Sequence, residues 1–353
     1  MTDPQGRPIA NDFVNVYAAG RLALEGNAGS AYDWTAHRIV EVRAVGYDFD
    51  GYYGWHYPPP AFFFAAALAT LPYLIAAVVW LLATLAAYVA AIGSILGRTG
   101  ILFALGFPAA IWNMTAGQNG FLTAALIGAT LGLLQRRPLL AGICLGLLTY
   151  KPQFGLLFPF VLIADRQWLM IAAAALTAIA LAALSWLVFG GATWQAFVHW
   201  APLSSRALID QGALDWYRLQ SVFAVVRAHG GSETLAWAVQ AAVSLTVAVG
   251  LIRLWRSGVP YELKAAALAA GTLLATPYLF MYDLVVLAVA VAFLLRLALA
   301  REFLNASEIA ALAVAGALIL IYPYVKSHVG LAAVVIVMAV VINRSRAAFI
   351  QPV

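Results

Sequence analysis

Long apolar runs without charges dominate the chain, and short polar stretches separate them. No Asp, Glu, Lys or Arg occurs from Gly51 to Gly97, from Thr99 to Gln135, or from Gln167 to Ser205. A helix needs about 20 apolar residues to cross the hydrocarbon core of a bilayer. The pattern therefore predicts membrane-spanning helices near residues 74–96, 119–135, 168–189, 234–252, 265–280, 284–300, 308–323 and 329–342.

Four further apolar runs are shorter, and they cover residues 60–72, 101–113, 138–150 and 153–164. A helix of about 13 residues extends only ~20 Å, against ~30 Å of hydrocarbon. We expect these runs to be tilted helices, re-entrant segments or half-helices beside a cavity. The sequence thus predicts an all-α polytopic membrane protein with a bundle of about 10–12 transmembrane or half-spanning helices.

Arginines in the short loops orient this bundle. If the spans alternate, one side of the membrane collects Arg136, Arg137, Arg166, Arg253, Arg256, Arg296, Arg301, Arg344 and Arg346. Such an excess marks the cytoplasmic side. Reading 138–164 as two short helices keeps Arg166 on that side and places Lys151 at the outer surface.

This orientation divides the chain into four segments. We expect an extracytoplasmic first loop with short amphipathic helices over 1–57 and an N-terminal transmembrane module over 58–189. An extracytoplasmic loop over 190–232 and C-terminal transmembrane helices over 233–353 follow. The protein is expected in the inner (plasma) membrane as a multi-pass protein.

Composition narrows the function classes. The chain is 64% hydrophobic and 10% charged, with a mean hydropathy of +0.89. Its net charge of +5 comes from scattered arginines, which argues against a nucleic-acid partner. Cys144 is the single cysteine, so disulfides and thiolate metal sites drop out. No nucleotide-binding glycine motif is present, and we therefore expect any activated donor to be carried by a lipid.

Two features of the first fifty-odd residues carry candidate chemistry. An amphipathic helix is predicted over 11–26, lying on the membrane surface. Asp12 at its start either caps the helix or serves as a carboxylate that takes a proton from an acceptor hydroxyl. The segment from Tyr47 to Tyr57 is rich in aromatic residues, which suit either a membrane interface or the C–H faces of a sugar.

Isolated charges farther along the chain are the other candidates. Lys151 has no charged neighbour for over a dozen residues, and a lone ammonium at membrane depth should have an anionic partner, a phosphate or an anionic lipid. Asp283 is an isolated acid that could equally cap a helix. In the loop 190–232, Arg206, Arg218 and Arg227 could bind a phosphate in bidentate fashion or face headgroups.

Together these marks resemble glycosyltransferase family 87 and the polyprenol-phosphate-mannose-dependent mannosyltransferases of the GT-C fold. The marks are spread over roughly residues 10–290: Asp12-Phe13 with Tyr17-Ala18-Ala19-Gly20 and Gly26, Tyr32-Asp33, Tyr57-Pro58-Pro59, Gly117-Gln118-Asn119, Lys151-Pro152, and Pro277 to Asp283. The resemblance implies a GT-C-like bundle with an outer-face first loop.

The resemblance also implies an activity. It is the inverting transfer of a hexose, mannose first among the candidates, from a polyprenyl-phosphate donor to a hydroxyl of a lipid or glycan acceptor on the outer face. Asp12 matches the general base, and Lys151 matches a donor-phosphate contact, to which we add Arg206 and Arg218. The expected substrate-binding residues are His56, Tyr57, Gln118, Asn119, Tyr282 and Asp283. No metal or other cofactor is expected.

Three further expectations accompany this interpretation. A transporter or flippase of lipid-linked glycans is one alternative function, and a glycan polymerase or ligase is another. Family members carry a transmembrane helix before the Asp-Phe motif, whereas here polar sequence begins at Met1. We hypothesise that Met1 is an internal or misassigned start, or that the chain is truncated; N-terminal sequencing of native protein that returned Met1 would contradict this.

Overall fold

A computed structural model describes residue 8 and residues 10–51, 53–209, 215–300 and 303–350, apart from the side chains of 203–209 and of 349 and 350. This part of the chain is helical without strands. The α-helices are α1 (Phe13–Leu24), α2 (Trp34–Val45), α3 (Phe62–Ala69), α4 (Tyr73–Leu96), α5 (Thr99–Gly106), α6 (Pro108–Ala116), α7 (Gly120–Leu133), α8 (Pro138–Leu147), α9 (Phe158–Ala164), α10 (Trp168–Phe189), α11 (Gly191–Ile209), α12 (Val222–Ala228), α13 (Glu233–Trp255), α14 (Tyr261–Ala275), α15 (Leu287–Ala300), α16 (Ala306–Ile321) and α17 (Val329–Ile350). Short 3₁₀ segments connect several of them, namely Ala28–Tyr32, Pro59–Ala61, Leu148–Tyr150, Pro152–Gly155, Trp216–Arg218, Met281–Val286 and Tyr322–Tyr324.

The prediction of an all-α polytopic membrane protein is confirmed. Among the described residues, 6 helices are long and apolar enough to span a membrane, or up to 7 if α5 and α6 form one broken span. These two helices meet at a bend of 60°, as expected of a run that does not cross as one straight helix. The bend falls at Phe107, where Pro108 fixes the start of α6 and excludes a continuous helix.

One predicted span ends early. The apolar pattern predicts a helix over 265–280, but α14 stops at Ala275 and Thr276 is extended. Pro277 explains the difference, because a residue before proline avoids the helical conformation. The extended stretch leads into the 3₁₀ turn Met281–Val286, which begins the α15 span.

The segment 138–164 is a pair of short helices, as predicted, with Lys151 at the turn between them. The first, α8, packs against α10 through its glycines. A Cβ at Gly142 would lie 2.5 Å from the carbonyl oxygen of Met170, and one at Gly146 would lie 2.5 Å from Thr177 Cβ. These two glycines let the backbones of α8 and α10 approach closely.

Burial identifies the centre of the bundle. Nearly every residue of α14 and of the first half of α15 is buried, whereas α10 exposes apolar side chains such as Leu176, Ile179 and Leu187 along most of its length. Apolar exposure of that kind suits a helix whose outer face contacts lipid. The protein core thus lies around α14 and α15, with α10 at its periphery.

The prediction of a surface-lying helix at the N-terminus is wrong. In α1 every residue from Phe13 to Gly20 is buried, so no face remains for the membrane surface. Gly20 explains the close packing, because a Cβ there would lie 2.0 Å from the carbonyl oxygen of Ala65 in α3. Tyr17 adds a hydrogen bond from its hydroxyl to the carbonyl of Leu71 at 2.9 Å.

The segment 190–232 differs from the predicted loop. Helix α11 takes up its first half, while the 3₁₀ turn Trp216–Arg218 and α12 take up much of the rest. Ser221 begins α12 by accepting a hydrogen bond from the amide of Ala224. Much of the segment predicted as a loop is therefore helical, and Arg218 ends its 3₁₀ turn.

Candidate active site

A cavity of about 1010 Å³ lies where several helices begin or end. Its lining comes from the start of α1, the segment before α3, the α6–α7 junction, the α8–α9 junction, the Trp216–Arg218 turn and the stretch after α14. Successive junctions of a helical bundle alternate between its two ends, and these lining junctions share one end. The polar residues of these junctions therefore line one cavity.

Asp12 directly precedes α1, and it lines this cavity. It occupies the cap position, yet its side chain makes no capping hydrogen bond. Instead, Oδ2 of Asp12 accepts a hydrogen bond of 2.9 Å from Nε2 of Gln118. The backbone amide of Asp12 donates to the carbonyl of Ala116 at 3.0 Å, which ties α1 to the end of α6. Of the two roles that the sequence left open for Asp12, the cap is excluded.

Gln118 and its neighbours form, together with Asp12, one polar side of the cavity. Asn119 donates from Nδ2 to the hydroxyl of Tyr57 at 2.7 Å, and that hydroxyl lies 3.4 Å from Oε1 of Gln118. Burial raises the pKa of Tyr57, so its hydroxyl stays protonated at neutral pH. We call Asp12, Tyr57, Gln118 and Asn119 the amide wall.

Two glycines flank Gln118 and Asn119, and the local backbone requires both of them. Gly117 has φ +71°, a left-handed conformation that favours glycine, and it ends α6. Gly120 lies so close to the segment after α14 that a Cβ there would be 2.2 Å from the carbonyl oxygen of Tyr282. The motif 117–120 therefore turns the chain and lets the amide wall meet the segment that carries Asp283.

The second polar feature of the cavity is an ion pair. Lys151 Nζ lies 2.7 Å from Oδ1 of Asp283, and both side chains are almost fully buried. The backbone amide of Phe280 donates to Oδ2 of Asp283 at 3.3 Å. The sequence predicted that Lys151 has an anionic partner in a phosphate or a lipid, whereas the partner in the structure is a carboxylate 132 residues away along the chain.

The remaining predicted residues divide into three groups. His56, Tyr282 and Arg218 line the cavity. Arg218 is exposed, and it has no carboxylate partner among the described residues. Arg206 lies on the backbone of α11, but its side chain is outside the described residues. Arg227, by contrast, donates to the carbonyl of Gly231 at 3.0 Å and lies away from the lining.

His56 faces the cavity but does not add a charge to it. The protein that surrounds the cavity desolvates the ring and lowers its pKa to about 4. The ring is therefore neutral near pH 7, when it can donate one hydrogen bond and accept another. A neutral donor and acceptor of this kind suits a hydroxyl-bearing ligand.

A comparison with known families identifies the kind of protein that contains this cavity. A family model described as Glycosyltransferase family 87 matches residues 55–277. The chain belongs to glycosyltransferase family 87. No curated protein matched in a comparison of sequences, and no solved structure matched either. With the apolar helices, family membership makes the protein a membrane glycosyltransferase that acts on a sugar donor and an acceptor.

The family 87 match covers only part of the cavity. His56, Tyr57, Gln118, Lys151 and Arg218 fall within it. The two carboxylates, Asp12 and Asp283, fall outside it, one before the match and one after. The structure brings these two acids to the same cavity as the matched residues, a placement that family membership alone does not supply.

Several lining residues of this glycosyltransferase were missed by sequence reasoning. Trp112 and Tyr322 line the cavity together and are in ring contact at 5.9 Å, and Tyr150 and Gln153 flank Lys151. Adjacency to Lys151 was a usable signal for the last two. Trp112 and Tyr322 looked like ordinary interfacial aromatics, so no signal distinguished them. Within the described ranges, no group of three or more His, Cys, Asp or Glu side chains is arranged to hold a metal ion.

Proposed function

We propose that this family 87 glycosyltransferase transfers a hexose, mannose being the leading candidate, from a polyprenyl-phosphate donor to an acceptor hydroxyl. The acceptor is a lipid or a glycan on the outer face of the inner (plasma) membrane. The bundle is proposed to be of the GT-C type. The observation that carries the proposal is the position of Asp12, a carboxylate that faces the cavity instead of capping its helix.

Asp12 serves as the general base in this proposal. It takes the proton of the acceptor hydroxyl while that oxygen attacks the anomeric carbon of the donor sugar. The new C–O bond forms as the bond from the anomeric carbon to the phosphate oxygen breaks, and the electron pair of that bond leaves with the phosphate. The amide of Gln118 holds the carboxylate in place without neutralising it.

Positively charged side chains stabilise the leaving group in this proposal. The donor is a phosphodiester, and the lipid monophosphate that leaves gains negative charge, which Arg218 and Lys151 stabilise from the cavity lining. Arg206 remains a predicted third contact. An inverting reaction requires attack from the face opposite the leaving phosphate, which suits a cavity with Asp12 and these cations at separate places in its lining.

The sugar and the lipid are assigned to different parts of the lining. His56, Tyr57, Gln118, Tyr282 and Asp283 offer hydrogen-bonding groups and aromatic faces, which together suit a hexose. Asn119 acts behind them by holding the hydroxyl of Tyr57.

The donor's lipid would meet the apolar part of the lining. Leu81 of α4 and Met114 of α6 line the cavity, and the side chain of Met114 is exposed. This apolar surface suits a polyprenyl chain.

The alternatives to transfer have less support. A transporter needs polar groups along a path between the two membrane faces, whereas the polar lining described above comes from one end of the bundle. A polymerase or ligase built on the arginines of 190–232 would use Arg227, which is committed to the carbonyl of Gly231 and to the ring of Trp216. Assays with monosaccharide and oligosaccharide donors in parallel separate these functions.

The decisive experiment is transfer of labelled mannose from a polyprenyl-phosphate donor by purified protein in lipid vesicles. Asp12→Asn keeps the size of the side chain and removes the base, so turnover should fall by roughly 10²–10⁴-fold. Asp50→Asn is the matched control, because Asp50 is an exposed acid of the same segment outside the cavity lining. Unchanged turnover of Asp12→Asn would remove Asp12 from the base role, and absence of transfer by the wild type would overturn the donor assignment.

A further inference from the structure

The described charges that line the cavity cancel. Asp12 and Asp283 supply two negative charges, Lys151 and Arg218 supply two positive ones, and His56 is neutral near pH 7. A net charge of zero gives an anionic phosphate no overall attraction. A phosphate can contact Arg218 directly, but a contact with Lys151 requires that the Lys151–Asp283 pair rearrange.

The Lys151–Asp283 pair is the one that must rearrange. Its N–O distance is 2.7 Å, and the side chains are only 6% and 1% exposed, so little water competes for the ammonium. The other close neighbours of Lys151 Nζ are aromatic faces, with the ring centres of Tyr282 at 5.3 Å and Phe154 at 5.5 Å. Asp283 is thus the only carboxylate in contact with Lys151 among the described residues.

We propose that Lys151 and Asp283 exchange partners when the donor binds: Lys151 turns to the phosphate, and Asp283 accepts hydrogen bonds from hydroxyls of the donor sugar. This proposal rests on the proposed function and assigns the two halves of the donor to the two halves of one ion pair.

Coupling follows from the burial of the pair. An ammonium that leaves Asp283 strands a buried carboxylate, and such a group is costly without new donors. The backbone amide of Phe280 supplies one donor, at 3.3 Å, which is too little for a carboxylate with two oxygens. Sugar hydroxyls supply the missing donors. A bare lipid phosphate lacks them and must strand Asp283, so it binds less well than the glycosylated donor.

This exchange also disfavours retention of the product. Once the sugar has been transferred, the lipid phosphate no longer satisfies Asp283, and the carboxylate draws Lys151 back. Arg218 is exposed and outside any ion pair with the described residues, so it can contact the phosphate both on arrival and on departure. The pair would thereby favour binding of the donor and release of the spent lipid.

Direct binding measurements on the full chain in detergent micelles test the exchange. The probes are decaprenyl monophosphate and decaprenyl-phosphate mannose, titrated against intrinsic tryptophan fluorescence. In the wild type the mannosylated lipid should bind roughly tenfold more tightly than the bare phosphate, since hydrogen bonds to a charged group carry the difference. Equal binding of the two lipids would overturn the exchange without any variant.

Asp283→Asn is the informative substitution. It leaves Lys151 without a counter-ion and retains an oxygen for the amide of Phe280. Bare decaprenyl phosphate should then bind roughly tenfold more tightly than to the wild type, and the preference for the mannosylated lipid should largely disappear. Asp12→Asn is the matched control, because it removes an equal charge from the same cavity without releasing Lys151. A gain in Asp283→Asn no larger than the gain in Asp12→Asn would overturn the proposal.

A double variant shows whether the gain acts through Lys151. In Lys151→Gln combined with Asp283→Asn, the tighter binding of the bare phosphate should vanish, and its persistence would overturn the proposal. Two results separate a failure of the proposed function from a failure of the exchange. A wild type that neither binds these lipids nor transfers mannose from them contradicts the proposed function, whereas a wild type that transfers mannose but shows the same affinity for both lipids contradicts the exchange alone.

Discussion

Two carboxylates face the same cavity and are held by opposite means. Asp12 accepts a hydrogen bond from the neutral amide of Gln118 at 2.9 Å. Asp283 forms an ion pair with the ammonium of Lys151 at 2.7 Å. An amide orients a carboxylate and leaves its full negative charge, whereas an ammonium cancels that charge.

The difference assigns different work to the two acids. A general base needs a carboxylate that can accept a proton, and in the proposed mechanism Asp12, oriented by the amide of Gln118, fills this role. The charge of Asp283 is engaged at rest, so Asp283 fits a binding group better than a base. Because both residues are aspartates, the difference between them comes from the groups that they contact, an amide for Asp12 and an ammonium for Asp283.

The largest expected effect comes from breaking the ion pair. Lys151→Gln leaves Asp283 buried without its cation, and Asp283→Asn leaves Lys151 without its anion. Removing one partner of a buried pair costs roughly 3–5 kcal/mol of stability. Each single variant should therefore unfold at a clearly lower temperature in detergent, as followed by tryptophan fluorescence.

The double variant provides the control for this prediction. Lys151→Gln with Asp283→Asn buries two neutral amides, so most of the lost stability should return. If the two single losses simply add in the double variant, the two side chains are not energetically coupled, and the contrast between the two acids fails.

An intermediate effect is expected at the amide wall. Gln118→Ala removes the hydrogen bond that orients Asp12 and leaves both charges of the Lys151 pair intact. Hydrogen bonds to charged groups contribute about 1.5–3 kcal/mol, which corresponds to a loss of roughly 10–100-fold in kcat for sugar transfer. The KM for the donor should change little, because Gln118 acts through Asp12.

Gln153→Ala is the companion variant for that measurement. Gln153 also lines the cavity, but it makes no hydrogen bond to Asp12 in the described structure. Its loss should leave kcat within a fewfold of the wild type. Equal losses for Gln118→Ala and Gln153→Ala would mean that the cavity tolerates no change, and a specific orienting role for Gln118 would be rejected.

Much of this architecture was predictable because it depends on local pattern. Apolar runs predicted the long helices, and the isolated charge at Lys151 predicted a hairpin instead of one span. Gly142 and Gly146 have the small-xxx-small spacing that is typical of a close helix contact, which α8 and α10 make. Each of these inferences uses residues within a few turns of one another, where length, hydropathy and spacing suffice.

What could not be predicted depends on contacts between distant parts of the chain. Nothing near Lys151 in the sequence indicates that Asp283 is its partner. Nor does the pattern of α1 show that both of its faces are covered, because its polar positions resemble those of a surface helix until α3 packs against Gly20. The contacts of Asp12 and Asp283 could not be predicted for the same reason, since Gln118 and Lys151 lie far from them along the chain.

A third acid differs from both, because neither of its carboxylate oxygens accepts a hydrogen bond. This acid is Glu41 of α2, and it is fully buried. His37 lies 3.6 Å away on the same helix face and Arg38 lies at 3.6 Å from the other oxygen. Burial raises the pKa of Glu41 to about 8, Arg38 opposes that shift, and the charge of Asp12 adds to it.

The effect of this third acid on stability depends on pH. The native pKa of Glu41, about 8, lies above its ordinary value of 4.5, so the folded protein holds this proton more tightly than the unfolded chain does. The resulting stability is complete below pH 4.5 and is lost as pH rises towards 8, by up to about 1.4 kcal/mol per pH unit. His37 acts in the opposite sense, because burial lowers its pKa to about 3 and stability is lost as pH falls below 6.5. Glu41→Gln removes only the first dependence.

Unfolding temperatures of Glu41→Gln and wild type should therefore diverge in favour of the variant between pH 5 and pH 8. The loss on the acid side that comes from His37 should remain the same in both proteins. Glu25→Gln is the control, because Glu25 is an exposed acid of the same N-terminal segment and its pairing with Arg21 is a surface contact. A constant difference in unfolding temperature between Glu41→Gln and wild type across this range would contradict the prediction, because it would mean that Glu41 is ionised in the folded state. Arg38 would then stabilise a buried carboxylate that accepts no hydrogen bond.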